Sequence, residues 1–463
     1  MNKIPEYLAE WMTQQRWYAG KGRAPQFELI GGFRLETSEP ASITVHFVLD
    51  HAEHPLLYQV PLTERRAPLD GGERALVSTR EDESGTVWIY DGPQDPAFAT
   101  ALLGLILYEG QVLAADGSGR VVAHGRRDLG EDGAVIRSSR VLGGEQSNTS
   151  IIYDIATADG LAASPIICKM FRALHDGENP DVVLTAVLGA AGSSVVPRAI
   201  GHVTGQWRDN GIVQGVATGH LAFAQEFLTG VEDAWRVALR AIAADEDFSE
   251  RAQALGRTTA VMHRTLAAAL PSRETTPADM AEVILSMRQR FELAAREVPS
   301  LAEHGDALEE VYRRAQASPW PPLQRVHGDF HLGQVLAVPG RGWVVLDFEG
   351  EPLRPMRERS QPDIPLRDIA GMLRSFDYVA GSFALSGGEH ASGNWASDCR
   401  NAFLDGYIEE SGRDLREHRA VLDAFEIDKA LYEAVYEARN RPGWLSIPAT
   451  AITRLVERAS RVG

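Results

Sequence analysis

The run His327-Gly328-Asp329-Phe330-His331-Leu332-Gly333-Gln334, followed by Asp347-Phe348-Glu349, sets acids, an amide and two histidines at spacings that suit phosphoryl transfer. That reaction needs an acid beside the acceptor hydroxyl and oxygen ligands for magnesium, because charge on the phosphates must be neutralised as the group moves. Asp329 is expected to orient the hydroxyl or accept its proton, with His331 on the acceptor side. Gln334, five residues on, offers an amide oxygen to the metal, and Asp347, at the end of an apolar strand, is the principal ligand with Glu349 beside it. His327 reads as a structural group that holds this loop by hydrogen bonding.

Nucleotide phosphates also need a cation. Lys169 lies in the apolar strand IICKMF, where an unpaired ammonium is costly, so an acid must meet it. The next element opens Asn179-Pro180-Asp181, an N-cap, a proline at the first helical position and an acid in the first turn; Asp181 or Glu178 is the expected partner. Just upstream, the turn Gly143 to Thr149 sits between two strands, and its Gln146, Ser147 and Asn148 are candidates to cover phosphates through backbone amides. Gln225, Glu226 and Phe227 follow a strand and are placed at the adenine edge.

These residues need a scaffold, and the pattern of the chain suggests one. Residues 1–133 mix alternating segments such as SITVHFVLD and GTVWIYD with turn-rich links, and PAFATALLGLILYEGQVL reads as one packing helix, making an α+β module. Residues 134–227 run strand, turn, strand, helix, strand, the order of a kinase small lobe. Residues 228–463 carry long amphipathic helices interrupted by one expected strand pair, LQRVHGDF with WVVLDFEG. The paired motifs resemble the His-x-Asp-x-x-x-x-Asn and Asp-Phe-Gly-like motifs of aminoglycoside phosphotransferases and protein kinases, with Gln334 where most members carry Asn.

The totals narrow the alternatives. A chain of 463 residues with 44% hydrophobic and 24% charged residues is an ordinary globular, multidomain composition. A net charge of -18 opposes non-specific binding to nucleic acid, and two cysteines, Cys168 and Cys399, are too few for a disulfide framework. The absence of a long apolar run gives a cytoplasmic expectation with no membrane partner, as a monomer or weak homo-oligomer.

Over nearly its whole length the chain resembles actinobacterial maltokinases and the related glucosamine kinases. The resemblance is carried by QRWYAGKGR, EQSNTSIIYD, KMFR with NPD, HGDFHLGQVL, LDFEGEP, PLRDIAGMLRSFDY and YEARNRPGWLSIP. It implies a bilobal, protein-kinase-like fold of the aminoglycoside-phosphotransferase type with an N-terminal cap, using ATP and Mg2+ to phosphorylate a small sugar. Glucosamine, giving glucosamine 6-phosphate, is the favoured acceptor and maltose, giving maltose 1-phosphate, its rival. A choline, homoserine or aminoglycoside kinase and a non-catalytic nucleotide-binding module are the other classes considered. Sugar choice is assigned to the region Glu426 to Trp444, where Glu426, Glu433 and Glu437 fall broadly on one helical face. Glu433 or Glu437 is expected to hold an ammonium, with Arg441 and the flat face of Trp444 completing the acceptor site. Arg16, Trp17 and Lys21 are expected to pack the cap or shape an interface, and Arg367-Asp368 to order the large lobe.

Overall fold

Alternation of apolar and polar residues becomes strand throughout the first half of the computed structural model. It describes residues 3–51, 55–113, 120–125, 135–143, 148–209, 215–351, 354, 356–388 and 394–461. The chain forms two units, Met1–Val183 with Pro197–Thr229, and Leu184–Val196 with Gly230–Gly463.

The first unit opens with helix α1 (Glu6–Gln14) and strands β1 (Phe27–Leu35), β2 (Ala41–Asp50), β3 (Leu56–Arg65), β4 (Leu76–Asp82) and β5 (Gly85–Asp91). Helix α2 (Pro96–Leu107) follows, then β6 (Gln111–Leu113), β7 (Arg120–Gly125), β8 (Val135–Val141), β9 (Asn148–Ala156), β10 (Ile166–Phe171) and the two-residue β11 (Ala173–Leu174). Helix α3 (Pro180–Ala190), counted with the second unit from Leu184 on, precedes the long hairpin of β12 (Ala199–Asp209) and β13 (Gly215–Glu226). One antiparallel sheet runs β1-β2-β3-β5-β4, with β11 added against β3, and the other runs β6-β7-β12-β13-β10-β9-β8. Strands β6 and β7, within the range expected for the cap, thus lie in the sheet that holds Lys169. One core is shared by both sheets, with Phe47 of β2, Phe98 and Leu103 of α2, and Ile151 and Tyr153 of β9 buried in one cluster, and a second cluster of Val48, Tyr58, Val60 and Ile89 with Leu8 and Met12 of α1 belongs to the first sheet.

Helix α2 is shorter than its apolar run suggested. It ends at Leu107, Glu109 turns into the left-handed region at φ 51°, and Gln111–Leu113 leaves as a strand. Trp17 of the cap is buried under the guanidinium of Arg172, 4.9 Å from its ring centroid, while Arg16 and Lys21 are exposed.

The second unit holds the two-residue strand β14 (Glu232–Asp233), helices α4 (Ala234–Ala243), α5 (Ser249–Ala269), α6 (Pro277–Glu297) and α7 (Gly305–Ala317), and the hairpin β15 (Val335–Val338) with β16 (Gly342–Val345). Helices α8 (Met356–Arg359), α9 (Leu366–Leu385), α10 (Trp395–Ser411), α11 (Arg419–Asn440) and α12 (Ser446–Arg461) complete it. The strand that pairs with WVV is therefore VLAV and not LQRVHGDF: Gly340 and Gly342, at φ 73° and 84°, close a tight hairpin between neighbours in sequence. Leu323 and Gln324 make only isolated bridges, to Arg273 and Asp363. Phe330, Leu332, Val345 and Phe348 around the hairpin are buried in the same cluster as Phe376 of α9 and Phe425 of α11, which fixes the motif-bearing loops to the helical core.

Candidate active site

The loop from His327 to Gln334 is held by side chains that accept its backbone hydrogens. Asp368, in the first turn of α9 and fully buried, accepts from the N–H groups of His327 and Gly328, each at 2.8 Å, and from His263 Nε2 at 2.9 Å. Burial alone would raise the pKa of this carboxyl, but His263 and the loop hydrogen bonds outweigh it and keep it below the usual carboxylate range. His263 is fixed in turn by Tyr407, 3.0 Å from Nδ1. His327 Nε2 donates to the carbonyl of Leu346 at 2.8 Å, tying the loop to the end of the hairpin. Two glycines make the approach possible: Gly328 sits at φ 86°, and a Cβ on Gly371 of α9 would come within 2.4 Å of the carbonyl oxygen of Phe330. Arg367 pairs with Asp363 at 2.8 Å, so of the Arg367-Asp368 pair only the aspartate touches this loop through hydrogen bonds.

Asp329 reaches a cation that sequence reasoning did not find. Lys429 Nζ of α11 lies 3.0 Å from Asp329 Oδ1 and 3.0 Å from Glu351 Oε1. Burial pushes the Glu351 carboxyl up, yet Lys429, Arg367 and Arg290 together bring it down to about 2. A legible signal existed: Lys429 is three residues after Glu426 and four before Glu433, on the helical face singled out for its carboxylates.

Past β16 the backbone of Asp347 adopts φ 64°, unusual for a residue with a side chain and tolerated best by Asp and Asn. That turn brings its Oδ2 to 3.1 Å from Gln334 Nε2, and its carboxylate oxygen to within 4.8 Å of one on Glu349. Two carboxylates and an amide are hard oxygen donors of the kind magnesium takes. Gln334 presents its NH2 to Asp347 here, so ligation through oxygen requires the amide to turn over. His331 caps the short turn after it, its Nδ1 accepting from Gly333 N–H at 3.0 Å, and burial lowers its pKa.

In the first unit, Lys169 Nζ donates to Asp181 Oδ2 at 2.8 Å, and Asp181 is 1% exposed. The helix start that places Asp181 is built as its sequence implies, with Asn179 Oδ1 accepting from Asp181 N–H at 2.9 Å. Of the phosphate-turn candidates, Gln146 and Ser147 lie outside the described residues, and Asn148 opens β9. The N–H groups of Glu226 and Phe227 donate to the carbonyls of Arg198 and Pro165, at 2.9 and 2.8 Å, while Gln225 is buried in β13.

The glutamates of α11 are engaged by arginines. Glu426 meets Arg400 at 2.6 Å, Glu433 meets Arg374 at 2.7 Å, and Glu437 meets Arg441 at 2.6 Å. Arg441 also covers Trp444, its guanidinium 4.6 Å from the ring centroid, and Tyr378 stacks on the same tryptophan. Glu437, Arg441 and Trp444 are thus brought together, whereas Glu433 belongs to a buried cluster with Arg374 and Asp377.

A hydrogen-bonded aspartate loop with a set of oxygen donors nearby is an arrangement compatible with phosphoryl transfer, and comparison with known proteins points to the same class. Residues 183–420 match the phosphotransferase enzyme family and residues 11–95 match the maltokinase N-terminal cap domain. The chain belongs to the phosphotransferase enzyme family and is a kinase-type enzyme with a cap domain. It is 29% identical over 337 residues to a glucosamine kinase of Streptacidiphilus jiangxiensis, covering 67% of this chain and 72% of that one. It is 26% identical over 411 residues to a glucosamine kinase of Mycolicibacterium smegmatis, covering 84% and 97%. A solved glucosamine kinase in complex with glucosamine, ADP and inorganic phosphate superposes with a TM-score of 0.66 at 22% identity, covering 98% of this chain and 100% of that one. Another crystal form of a glucosamine kinase gives 0.68 at 22% identity, covering 97% and 99%. These establish the bilobal, protein-kinase-like fold. Among the described residues no helix is long and apolar enough to cross a membrane.

Proposed function

We propose that this enzyme transfers the γ-phosphoryl group of ATP to a hydroxyl of a small sugar, with glucosamine as the preferred acceptor and magnesium as the metal. The observation that carries the reading is the state of Asp329: one carboxylate oxygen is held by Lys429, and the other has no hydrogen-bond partner among the described residues. That second oxygen suits an acceptor hydroxyl. As the new oxygen–phosphorus bond forms and the bond to the departing ADP breaks, Asp329 orients the hydroxyl and takes its proton. Asp347, Gln334 and Glu349 would hold magnesium, which when bound neutralises phosphate charge. Lys169, steadied by Asp181, is the candidate cation for the nucleotide phosphates, with Gln146, Ser147 and Asn148 in the covering turn and Gln225, Glu226 and Phe227 at the adenine. His331, Glu433, Glu437, Arg441 and Trp444 remain the acceptor candidates. We retain three functional parts, 1–133, 134–227 and 228–463, and a cytoplasmic enzyme without a nucleic-acid or membrane partner.

The glucosamine assignment is supported by the curated relatives, both glucosamine kinases, one matched over 84% of this chain. A second reading, a neutral sugar such as maltose, is favoured by two observations. Glu433 and Glu437 already face arginines, so neither offers an uncompensated carboxylate to an ammonium, and the N-terminal segment matches a maltokinase cap domain.

An ATP-consumption assay across glucosamine, glucose, maltose, choline and an aminoglycoside, with folded Asp329→Asn as control, decides between them. The first reading expects glucosamine to have the highest kcat/KM, and expects Asp329→Asn to lose on the order of 10²-fold or more. Efficient maltose turnover with negligible glucosamine turnover would transfer the assignment to the second reading. Near-normal turnover by Asp329→Asn would remove Asp329 from the chemistry.

A further inference from the structure

Around Asp329 the charges of the second unit are paired off with one exception in purpose. Arg367 is spent on Asp363 at 2.8 Å and stacks on Phe425, and Arg290 is spent on Asp428 at 2.8 Å. Arg359 donates to the carbonyls of Arg354 and Glu349. Lys429 alone hydrogen-bonds the carboxylate of Asp329 among the described residues, and it does so while bonded to Glu351 and lying 4.9 Å from the ring centroid of Tyr432.

A lysine in this position is a poor choice for stability. Its side chain is 17% exposed and Glu351 is 4% exposed, so two charges have been taken largely out of water, and an apolar pair would often serve a helical core as well or better. The arrangement has a directional result instead. Lys429 fixes Oδ1 and leaves Oδ2, and the second bond to Glu351 prevents the long flexible stem from carrying the ammonium away. Glu351 follows the segment that bears Asp347 and Glu349, so one ammonium spans the aspartate loop and the segment after β16.

We propose that Lys429 is a positioning residue for phosphoryl transfer: it clamps Asp329 and Glu351 so that the open oxygen of Asp329 keeps the orientation an acceptor hydroxyl requires. The proposal rests on the reading of Asp329 as the acid that orients the acceptor. It makes Lys429 act through Asp329 and not on the sugar, which separates its effect on kcat from any effect on binding.

The experiment uses the full chain with ATP, magnesium and the sugar that the substrate panel identifies. Lys429→Met should lower kcat on the order of 10²-fold, because small displacements of a reacting group have effects of that size, while KM for sugar and for ATP stays within about three-fold of the parent. Lys429→Cys should be similarly slow and should recover kcat when aminoethylation rebuilds the ammonium, with modification confirmed by mass. Cys168 and Cys399 are buried, and burial pushes both thiols up to about 12, so they do not compete for the reagent. Should Lys429→Met fail to fold because Glu351 is stranded, the paired change Lys429→Met with Glu351→Gln removes the imbalance and must show the same loss of kcat. Parental kcat in a folded variant, a loss confined to KM, or modified protein that stays inactive overturns the proposal. Parental kcat in Lys429→Met together with a dead Asp329→Asn sinks only this inference, whereas an active Asp329→Asn sinks the reading of the site beneath it.

Discussion

Asp368 receives the backbone N–H of His327, 41 positions earlier in the chain, at 2.8 Å, and the next N–H at the same distance. Helix α9 therefore holds the start of the aspartate loop through the loop's main-chain atoms. Asp368→Asn keeps size but turns one acceptor into a donor facing other donors. It should destabilise the fold by about 1–3 kcal/mol and slow turnover on the order of 10-fold, read by urea unfolding and kcat; unchanged values in both would detach α9 from the loop's geometry.

The left-handed backbone of Asp347 dictates how its role is tested. Asparagine tolerates that conformation, alanine less so, so Asp347→Asn isolates the charge while Asp347→Ala adds about 1 kcal/mol of strain. Both variants should raise the magnesium concentration for half-maximal rate on the order of 10-fold or more, and Gln334→Ala should do so more mildly. Magnesium titrations that superimpose on the parent would put the metal elsewhere.

Lys169 and Asp181 form a pair in which the acid is nearly inaccessible. Lys169→Met should raise KM for ATP and lower kcat/KM by on the order of 10²-fold, and Asp181→Asn should have the same sign with a smaller effect, since the lysine keeps its charge but loses its anchor. An unaltered ATP dependence in folded Lys169→Met would assign this pair to the architecture of the sheet.

Three imidazoles lie in a row across β7, β12 and β13: His124 and His202 at 5.0 Å between centroids, His202 and His220 at 5.1 Å. Burial, and after it the neighbouring imidazoles, pushes His202 and His220 down to about 4 from an ordinary value of 6.5. Between those values the unfolded chain binds more protons than the folded one, so stability is complete above about pH 6.5 and falls as pH drops toward 4. The loss should reach on the order of several kcal/mol over the two groups, seen as a falling Tm, and His202→Phe should reduce it by about half. A Tm as steep in His202→Phe as in the parent would place the acid sensitivity outside this row.

Much of the architecture and of the chemistry was legible from local pattern. HGDFHLGQ and LDFEG are contiguous, the cap of α3 is written in Asn179-Pro180-Asp181, and the strands β8, β9 and β10 follow from apolar alternation, because each depends on residues close in sequence. Pattern misled where two elements compete for one apolar stretch. QVL left the run after α2 as a strand once Glu109 turned left-handed, and WVV paired with VLAV because a tight glycine hairpin needs less chain ordering than a distant partner.

The residues themselves, and the spacing of those that lie together in the chain, were enough to specify phosphoryl-transfer chemistry and the periodicity of the elements bearing it. Local spacing named the Lys169–Asp181 pair, but the long-range pairings were decided by tertiary structure. Asp329 and Lys429 are 100 residues apart, and His263 and Asp368 are 105 apart. The same packing gave Glu433 and Glu426 of α11 to Arg374 and Arg400, whereas Glu437 meets Arg441 four residues on. Helical spacing assigns a side chain to a face and can pair it with a neighbour four residues away, but a long-range ion pair forms only where folding brings a second backbone within a few ångströms and removes the water that would otherwise separate the charges.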